Sequence, residues 1–234
     1  MKISNSTILI TGGSSGIGKE TAKQFVKKGA KVLITGRNEV KLNNVANEIG
    51  AIPLLFDISQ LDTIALLAEK AIVLLGGRID VLVNNAGIGL FPKLGEINKE
   101  DLQSVYSTNV FGLALLTQEV VKTFKNQNYG NIINIGSSAS LKGFVGGTIY
   151  AASKFALRGM TQSWQAELRK FNIRVSLVNP SEVATAFATT NREEREEVSN
   201  KLGPKEIADS IVSVVEMRNK GFVPEVNIWA TNPF

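Results

Sequence analysis

The sequence contains neither cysteine nor histidine. Without cysteine no disulfide framework is available, and without either residue the usual zinc ligands are missing, so no metal site is expected. The same absences rule out a Ser-His-Asp or Cys-His hydrolase. Any general acid or base must then be Tyr, Lys, Asp or Glu. No apolar run approaches the roughly 18–20 residues that a membrane span needs. Met1-Lys2-Ile3-Ser4 leads directly into an apolar run with no secretory or transit signal, so a cytoplasmic protein without membrane contact is expected. Clustered basic residues are lacking too. The net charge is +5, but Lys and Arg are scattered, which argues against nucleic acid and for a generic surface that meets an anionic cofactor.

What is present suits one α/β domain over residues 1–234, of which 44% are hydrophobic. Short apolar runs bounded by Gly, Asn or Asp predict strands at Thr7–Thr11, Lys31–Thr35, Ile52–Phe56, Val81–Asn84, Ile132–Ile135, Arg174–Asn179 and Val226–Trp229. Helical patterns fill the gaps at about Gly16–Lys28, Glu39–Glu48, Leu61–Leu75, Lys99–Lys125, Tyr150–Phe171 and Pro204–Met217. Asn98 with Asp101 suits the start of the long fourth helix, and Pro204 the first turn of the last. Alternating β and α elements imply a doubly wound, Rossmann-type parallel sheet of about seven strands, with helices on both faces. Such sheets bind ligands at the carboxyl ends of their strands. Gly12, Asn84, Ser137 and Pro180 all fall at or just after strand ends.

The turn Thr11-Gly12-Gly13-Ser14-Ser15-Gly16-Ile17-Gly18 lies between a strand and a helix. Glycine permits a tight turn and close approach to a phosphate, and the helix N-terminus favours its charge. Ordinary turns also use glycine; the strand-turn-helix setting favours a nucleotide. An acid at the end of the second strand would bind a ribose 2′-hydroxyl. Here the chain reads Thr35-Gly36-Arg37-Asn38, with no acid and an arginine able to grip a 2′-phosphate. NADP(H) is therefore expected in preference to NAD(H), the alternative being a plain surface arginine.

Tyr150 and Lys154 stand four residues apart on one helix face, and Ser137 thirteen before the tyrosine. A nearby ammonium favours a phenolate, so Lys154 is expected to lower the Tyr150 pKa. Tyr150 then exchanges a proton with a carbonyl or alcohol oxygen that Ser137 holds in place. Taken singly, each residue has a plainer reading: a packed tyrosine, a solvated lysine, a serine in a turn.

Together these motifs resemble the short-chain dehydrogenase/reductase family over nearly the whole chain. Thr11 to Gly18 matches the family's Thr-Gly-x-x-x-Gly-x-Gly cofactor motif. Asp57, followed by Ile58, matches the acid that contacts adenine. Asn84-Asn85-Ala86-Gly87 resembles the segment that stabilises the sheet and lies along the cofactor. Asn109 matches an asparagine that holds a water in a proton relay. Ser137, Tyr150 and Lys154 complete the catalytic tetrad, and Lys154 is also expected on the nicotinamide ribose. Asn179 to Thr185, with Pro180, Val183 and Thr185, resembles the segment that meets the carboxamide and pyrophosphate. The implied activity is hydride transfer between a nicotinamide and a small carbonyl or alcohol, as in relatives of 3-oxoacyl-[acyl-carrier-protein] reductase or sepiapterin reductase.

Two departures stand out: Ser181 replaces a usual glycine, and Glu225-Val226-Asn227-Ile228-Trp229-Ala230 stands where the family carries Asp-Gly-Gly. The latter leaves a homodimer as plausible as a homotetramer. Other readings are a sugar-nucleotide epimerase with bound NAD, a non-enzymatic NADP redox sensor, and a nucleotide-binding domain with chance Ser and Tyr. The substrate pocket is expected from Ala139–Ile149 and the segment after Thr185. Leu141, Phe144, Val145 and Phe187 suggest its apolar wall or simple packing. Ala186 to about Lys201, rich in charge, is expected to act as a lid.

Overall fold

The computed structural model describes residues 1–185, 187, 196 and 198–232. Seven strands form one parallel sheet: β1 Thr7–Ile10, β2 Lys31–Gly36, β3 Ile52–Leu55, β4 Val81–Asn84, β5 Gly130–Ile135, β6 Ile173–Pro180 and β7 Glu225–Ile228. Their order is β3-β2-β1-β4-β5-β6-β7. Seven α-helices flank them among the described residues: α1 Gly16–Lys27, α2 Glu39–Ile49, α3 Ile64–Leu75, α4 Lys99–Tyr106, α5 Leu113–Gln127, α6 Thr148–Leu168 and α7 Pro204–Glu216.

The strand residues alternate between two apolar layers because successive side chains point to opposite faces. Ile8, Ile10, Val32, Ile34, Val81 and Val83 join one layer, which packs on Phe25 of α1, Leu42 of α2 and Ile211 of α7. Leu9, Leu33 and Leu82 join the other, with Ala68 of α3, Leu116 of α5 and Leu157 of α6. Burial on both faces explains why the strands read as continuous apolar runs rather than alternating ones. No helix among the described residues is long and apolar enough to cross a membrane.

One helix departs from its pattern. The span expected as continuous from Lys99 to Lys125 divides into α4, a π-helical turn Ser107–Gly112, and α5. The cause is local crowding and a polar demand. A Cβ on Gly112 would lie 1.9 Å from the Ile58 carbonyl oxygen, so the helix approaches the loop after β3 too closely for any side chain. Asn109, in the same turn, is pulled toward the Ile88 backbone, as described below. Asn98 caps α4 as expected, its Oδ1 accepting from Asp101 N at 2.7 Å. Pro204 begins α7.

The sheet's direction of winding reverses between β1 and β4. The turns leaving these two strands are stitched together there. Thr11 Oγ1 accepts from the backbone N–H groups of Asn85 and Ala86, both at 3.0 Å. Asn85 Nδ2 donates to the carbonyls of Thr11 at 2.9 Å and Gly12 at 3.0 Å. A crevice at the carboxyl ends of the strands opens at this point, as the topology requires.

Candidate active site

The crevice is a cavity of about 980 Å³ running from the turn after β1 to the start of α6. One end is lined by Gly12, Ser14, Ser15, Gly16, Ile17, Arg37, Asn38, Asp57 and Ile58. Asn85, Ala86 and Gly87 follow, and Ser137, Tyr150, Lys154, Pro180, Val183 and Thr185 line the other end. Gly18 and Asn109 were expected in the site but do not line it.

Gly12 and Gly16 take left-handed backbone angles, φ +66° and +50°, which favour glycine. A Cβ on Gly16 would press on Thr185 across the cavity at about 3.2 Å. Gly18 serves packing instead, since its Cβ would lie 2.4 Å from the Gly12 carbonyl oxygen. Helix α1 starts at this turn with no acid in its first turn and no side-chain cap on Ser15, so its N-terminal N–H groups meet the cavity without a built-in anion. The donor set and the cramped glycines fit a dinucleotide pyrophosphate.

Arg37 follows β2, exposed and without an ion-pair partner among the described residues. Asn38 has a local duty: its Oδ1 caps α2 by accepting from Lys41 N at 2.9 Å. Asp57 accepts from Ser59 N and Oγ through one oxygen, Oδ1, at 3.0 and 2.7 Å. Lys41 lines the same end and was not singled out in the sequence.

At the other end Ser137 closes β5 in extended backbone and caps the short turn that follows, its Oγ accepting from Ala139 N at 3.1 Å. Its own N–H donates to Asn179 Oδ1 at 3.2 Å and to Ser140 Oγ at 3.1 Å. Asn179 is in turn held by β7, donating through Nδ2 to Glu225 Oε1 at 3.1 Å and Asn227 Oδ1 at 2.9 Å. Arg158 Nε of α6 pairs with Glu225 Oε2 at 3.0 Å. The C-terminal strand thus reaches the serine through one buried asparagine. A polar residue inside the fully buried run Ile173–Pro180 was the signal in the sequence that marked it.

The expected lowering of the Tyr150 pKa by Lys154 is overturned. Burial pushes the phenol up to about 12, with Ser137 acting weakly in the opposite direction. Lys154 is itself pushed down to about 8 by burial. Its Nζ lies 5.7 Å from the tyrosine ring centre and donates to the Ile135 carbonyl at 2.8 Å, so it is anchored on β5 rather than on the phenol oxygen. Desolvation dominates here, and the Ser137 hydrogen bond opposes it.

Asn109 sits behind the site, outside the cavity lining. Its Oδ1 accepts from Ile88 N at 2.9 Å, and its Nδ2 donates to Ile88 O at 2.9 Å and to Ser153 Oγ at 3.1 Å. Ser153 Oγ donates to Tyr150 O at 2.7 Å. The side chain ties the loop after β4 to α6, both Nδ2 donors being used in doing so.

Of the expected apolar wall, Phe144 and Phe187 line the cavity, whereas Leu141 and Val145 do not; Val145 is 87% exposed. Phe91 completes the wall and was missed, although it sits in a loop leaving a strand's carboxyl end. The expected lid, Ala186 to about Lys201, lies mostly outside the described residues; its flanks meet in a bridge between Val183 and Leu202. Ser181 needs no glycine: it is absent from the positive-φ residues, and its N–H pairs with Ile228 O at 2.8 Å.

Comparison with known proteins agrees with this geometry. Residues 6–196 match the short chain dehydrogenase family. The chain is 31% identical to the NADP-dependent 3-hydroxy acid dehydrogenase of Schizosaccharomyces pombe, over 99% of this chain and 95% of that protein. It is 35% identical to the 3-oxoacyl-[acyl-carrier-protein] reductase of Thermotoga maritima, over 91% of each. A crystal structure of a metagenomic short-chain oxidoreductase in complex with NADP superposes with TM-score 0.85 at 31% identity, covering 97% of this chain and 98% of that one. With its seven-stranded parallel sheet and its glycine turn opening onto a Ser-Tyr-Lys cluster, the chain belongs to the short-chain dehydrogenase/reductase family of oxidoreductases.

Proposed function

We propose that the protein reduces a carbonyl compound with NADPH. The observation that carries this reading is the convergence of Ser137, Tyr150 and Lys154 at one end of a cavity whose other end is the glycine turn. When bound, the nicotinamide supplies the hydride. Tyr150 is the general acid: its phenol, pushed up by burial, carries a proton at neutral pH that it can give to a carbonyl oxygen. Ser137 Oγ hydrogen-bonds the same oxygen and orients it. Lys154, fixed through Ile135 O, presents its ammonium between the tyrosine and the position of the ribose. Asn109 positions the loop of Ile88 beside the site, and a relay water would have to be held through its remaining acceptors.

Arg37 supports preference for NADPH over NADH, because it is exposed, has no ion-pair partner among the described residues, and stands at the end of β2 where an acid would oppose a 2′-phosphate. The S. pombe relative, named for NADP, points the same way. Leu102, Phe111, Leu115 and Phe155 are apolar yet exposed, which supports assembly into a homodimer or homotetramer in the cytoplasm. The decisive experiment is NADPH oxidation against a panel of neutral and acidic ketones and aldehydes, with Tyr150→Phe alongside. Turnover that disappears in the variant, with NADPH affinity kept, is the expected result. Undiminished turnover by Tyr150→Phe would remove the assigned acid.

A further inference from the structure

Resting on the carbonyl-reductase reading, the geometry points to a substrate whose carbonyl carries an uncharged apolar group, and an aromatic one above all. The reacting phenol is set in a cluster of rings. Phe91 meets Tyr150 edge-on with ring centres 5.5 Å apart, and Phe187 meets it at 5.5 Å from another direction. Phe144 extends the cluster, 6.0 Å from Phe91. These separations lie in the range where aromatic rings attract one another, and an inserted aryl group would find the same edge and face partners.

Two features show that the rings form a wall and not a core. Phe91 and Phe144 are 43% and 50% exposed while lining the cavity, so apolar surface faces the space where a substrate must enter. Gly89 lets the wall close: a Cβ there would lie 2.8 Å from both the Phe187 and the Phe91 rings. Any side chain at this position would push the two phenylalanines out of place.

Charge selects in the same direction. Among the described residues that line this end of the cavity, the cation is Lys154, which is anchored to the Ile135 carbonyl and, on the reading above, serves the tyrosine and the cofactor. Arg37 and Lys41 line the far end, beyond the glycine turn. Glu182 on the cavity lining is paired with Lys201, Nζ to Oε1 at 3.1 Å, so neither charge is left over for a substrate. A substrate carboxylate beside the reacting carbonyl would be desolvated against phenyl rings with no further cation among the described lining residues to pair it, which is costly. The pocket therefore discriminates against 3-oxo and 2-oxo acids and for their neutral aryl counterparts.

The test compares acetophenone with 3-oxobutanoate as substrates of the full chain with NADPH. The expected kcat/KM favours acetophenone on the order of a hundredfold, the cost of burying an unpaired polar group. Phe91→Ala and Phe144→Ala, both at half-exposed positions, should each raise the KM for acetophenone by about tenfold while the NADPH affinity stays unchanged. Phe91→Leu should restore part of the loss. Calorimetric titration of 1-phenylethanol into the NADPH-loaded protein, a pair with no hydride acceptor, reads the rings without turnover. Ring-dependent binding with no reduction of any carbonyl would defeat the reductase reading and leave the aromatic site standing. Preference for 3-oxobutanoate, or a KM and a 1-phenylethanol affinity indifferent to both phenylalanine variants, would overturn the inference itself.

Discussion

At the end of the cavity that holds Gly12 and Gly16, the lining is backbone and short polar side chains from one continuous turn, with Arg37 and Asp57 added from neighbouring strand ends. At the Tyr150 end it is side chains from separate segments: Phe91 after β4, Ser137 and Phe144 after β5, Lys154 in α6 and Phe187 beyond β6. The first end depends on what the chain leaves out, since each glycine there prevents a clash. The second depends on what distant segments bring together, and on burial that moves both ionisable groups. A ligand common to a whole family can be held by backbone geometry, whereas a substrate particular to one member needs side chains that vary independently.

Lys154 lies where the two ends meet, so its removal tests how separate they are. Lys154→Ala should lower kcat on the order of 10²–10⁴ and weaken NADPH binding as well. Pre-steady-state hydride transfer and fluorescence titration read the two effects separately. Loss of turnover with unchanged NADPH affinity would confine the lysine to the reacting end.

A pH series sharpens the contrast without any ligand. Lys154 is pushed down from 10.5 to about 8 in the folded protein. Between these values the unfolded chain holds more protons, so the contribution of Lys154 to stability rises with pH across that window. Tyr150, pushed up from 10.0 to about 12, has the opposite sign. The unfolded phenol ionises first, so its contribution is full below about pH 10 and is lost toward 12. At about 1.4 kcal/mol per pKa unit, the lysine contributes up to ~3 kcal/mol. Denaturant melts from pH 7.5 to 10.5 should show Lys154→Met gaining less from alkali than the parent.

The glycine end should respond to a single methyl group. Gly18→Ala places a Cβ 2.4 Å from the Gly12 carbonyl oxygen. An overpacked site of this kind loses about 1–3 kcal/mol of stability and with it the set of the turn, so NADPH binding should fall too. Gly159→Ala in α6 is the control: nothing lies within 4 Å of its Cβ, and helix propensity predicts a gain of up to about 1 kcal/mol. Equal effects from both substitutions, measured by thermal melting, would show that the turn tolerates side chains.

The smallest effect is expected where one side chain gives the backbone end its selectivity. Arg37→Ala should weaken NADPH about tenfold and leave NADH nearly unchanged, as for loss of one charge-assisted pair. Dissociation constants for the two cofactors decide this, and equal losses would take the 2′-phosphate away from Arg37.

The sequence by itself determined the parallel sheet, the glycine turn and the Tyr150–Lys154 pair. These rest on short-range physics: apolar runs that must be buried on both faces, backbone angles open to glycine, and helical spacing that aligns residues four apart. Only the tertiary structure decided the rest. The π-helical turn at Ser107–Gly112 follows from an approach to Ile58, which lies some fifty positions earlier in the chain. Asn109 became a tether between two segments because Ile88 and Ser153 came within reach. The phenylalanine wall was assembled from segments with no shared pattern. The Tyr150 pKa rose because desolvation depends on everything packed around a group, whereas spacing along a helix reports one neighbour.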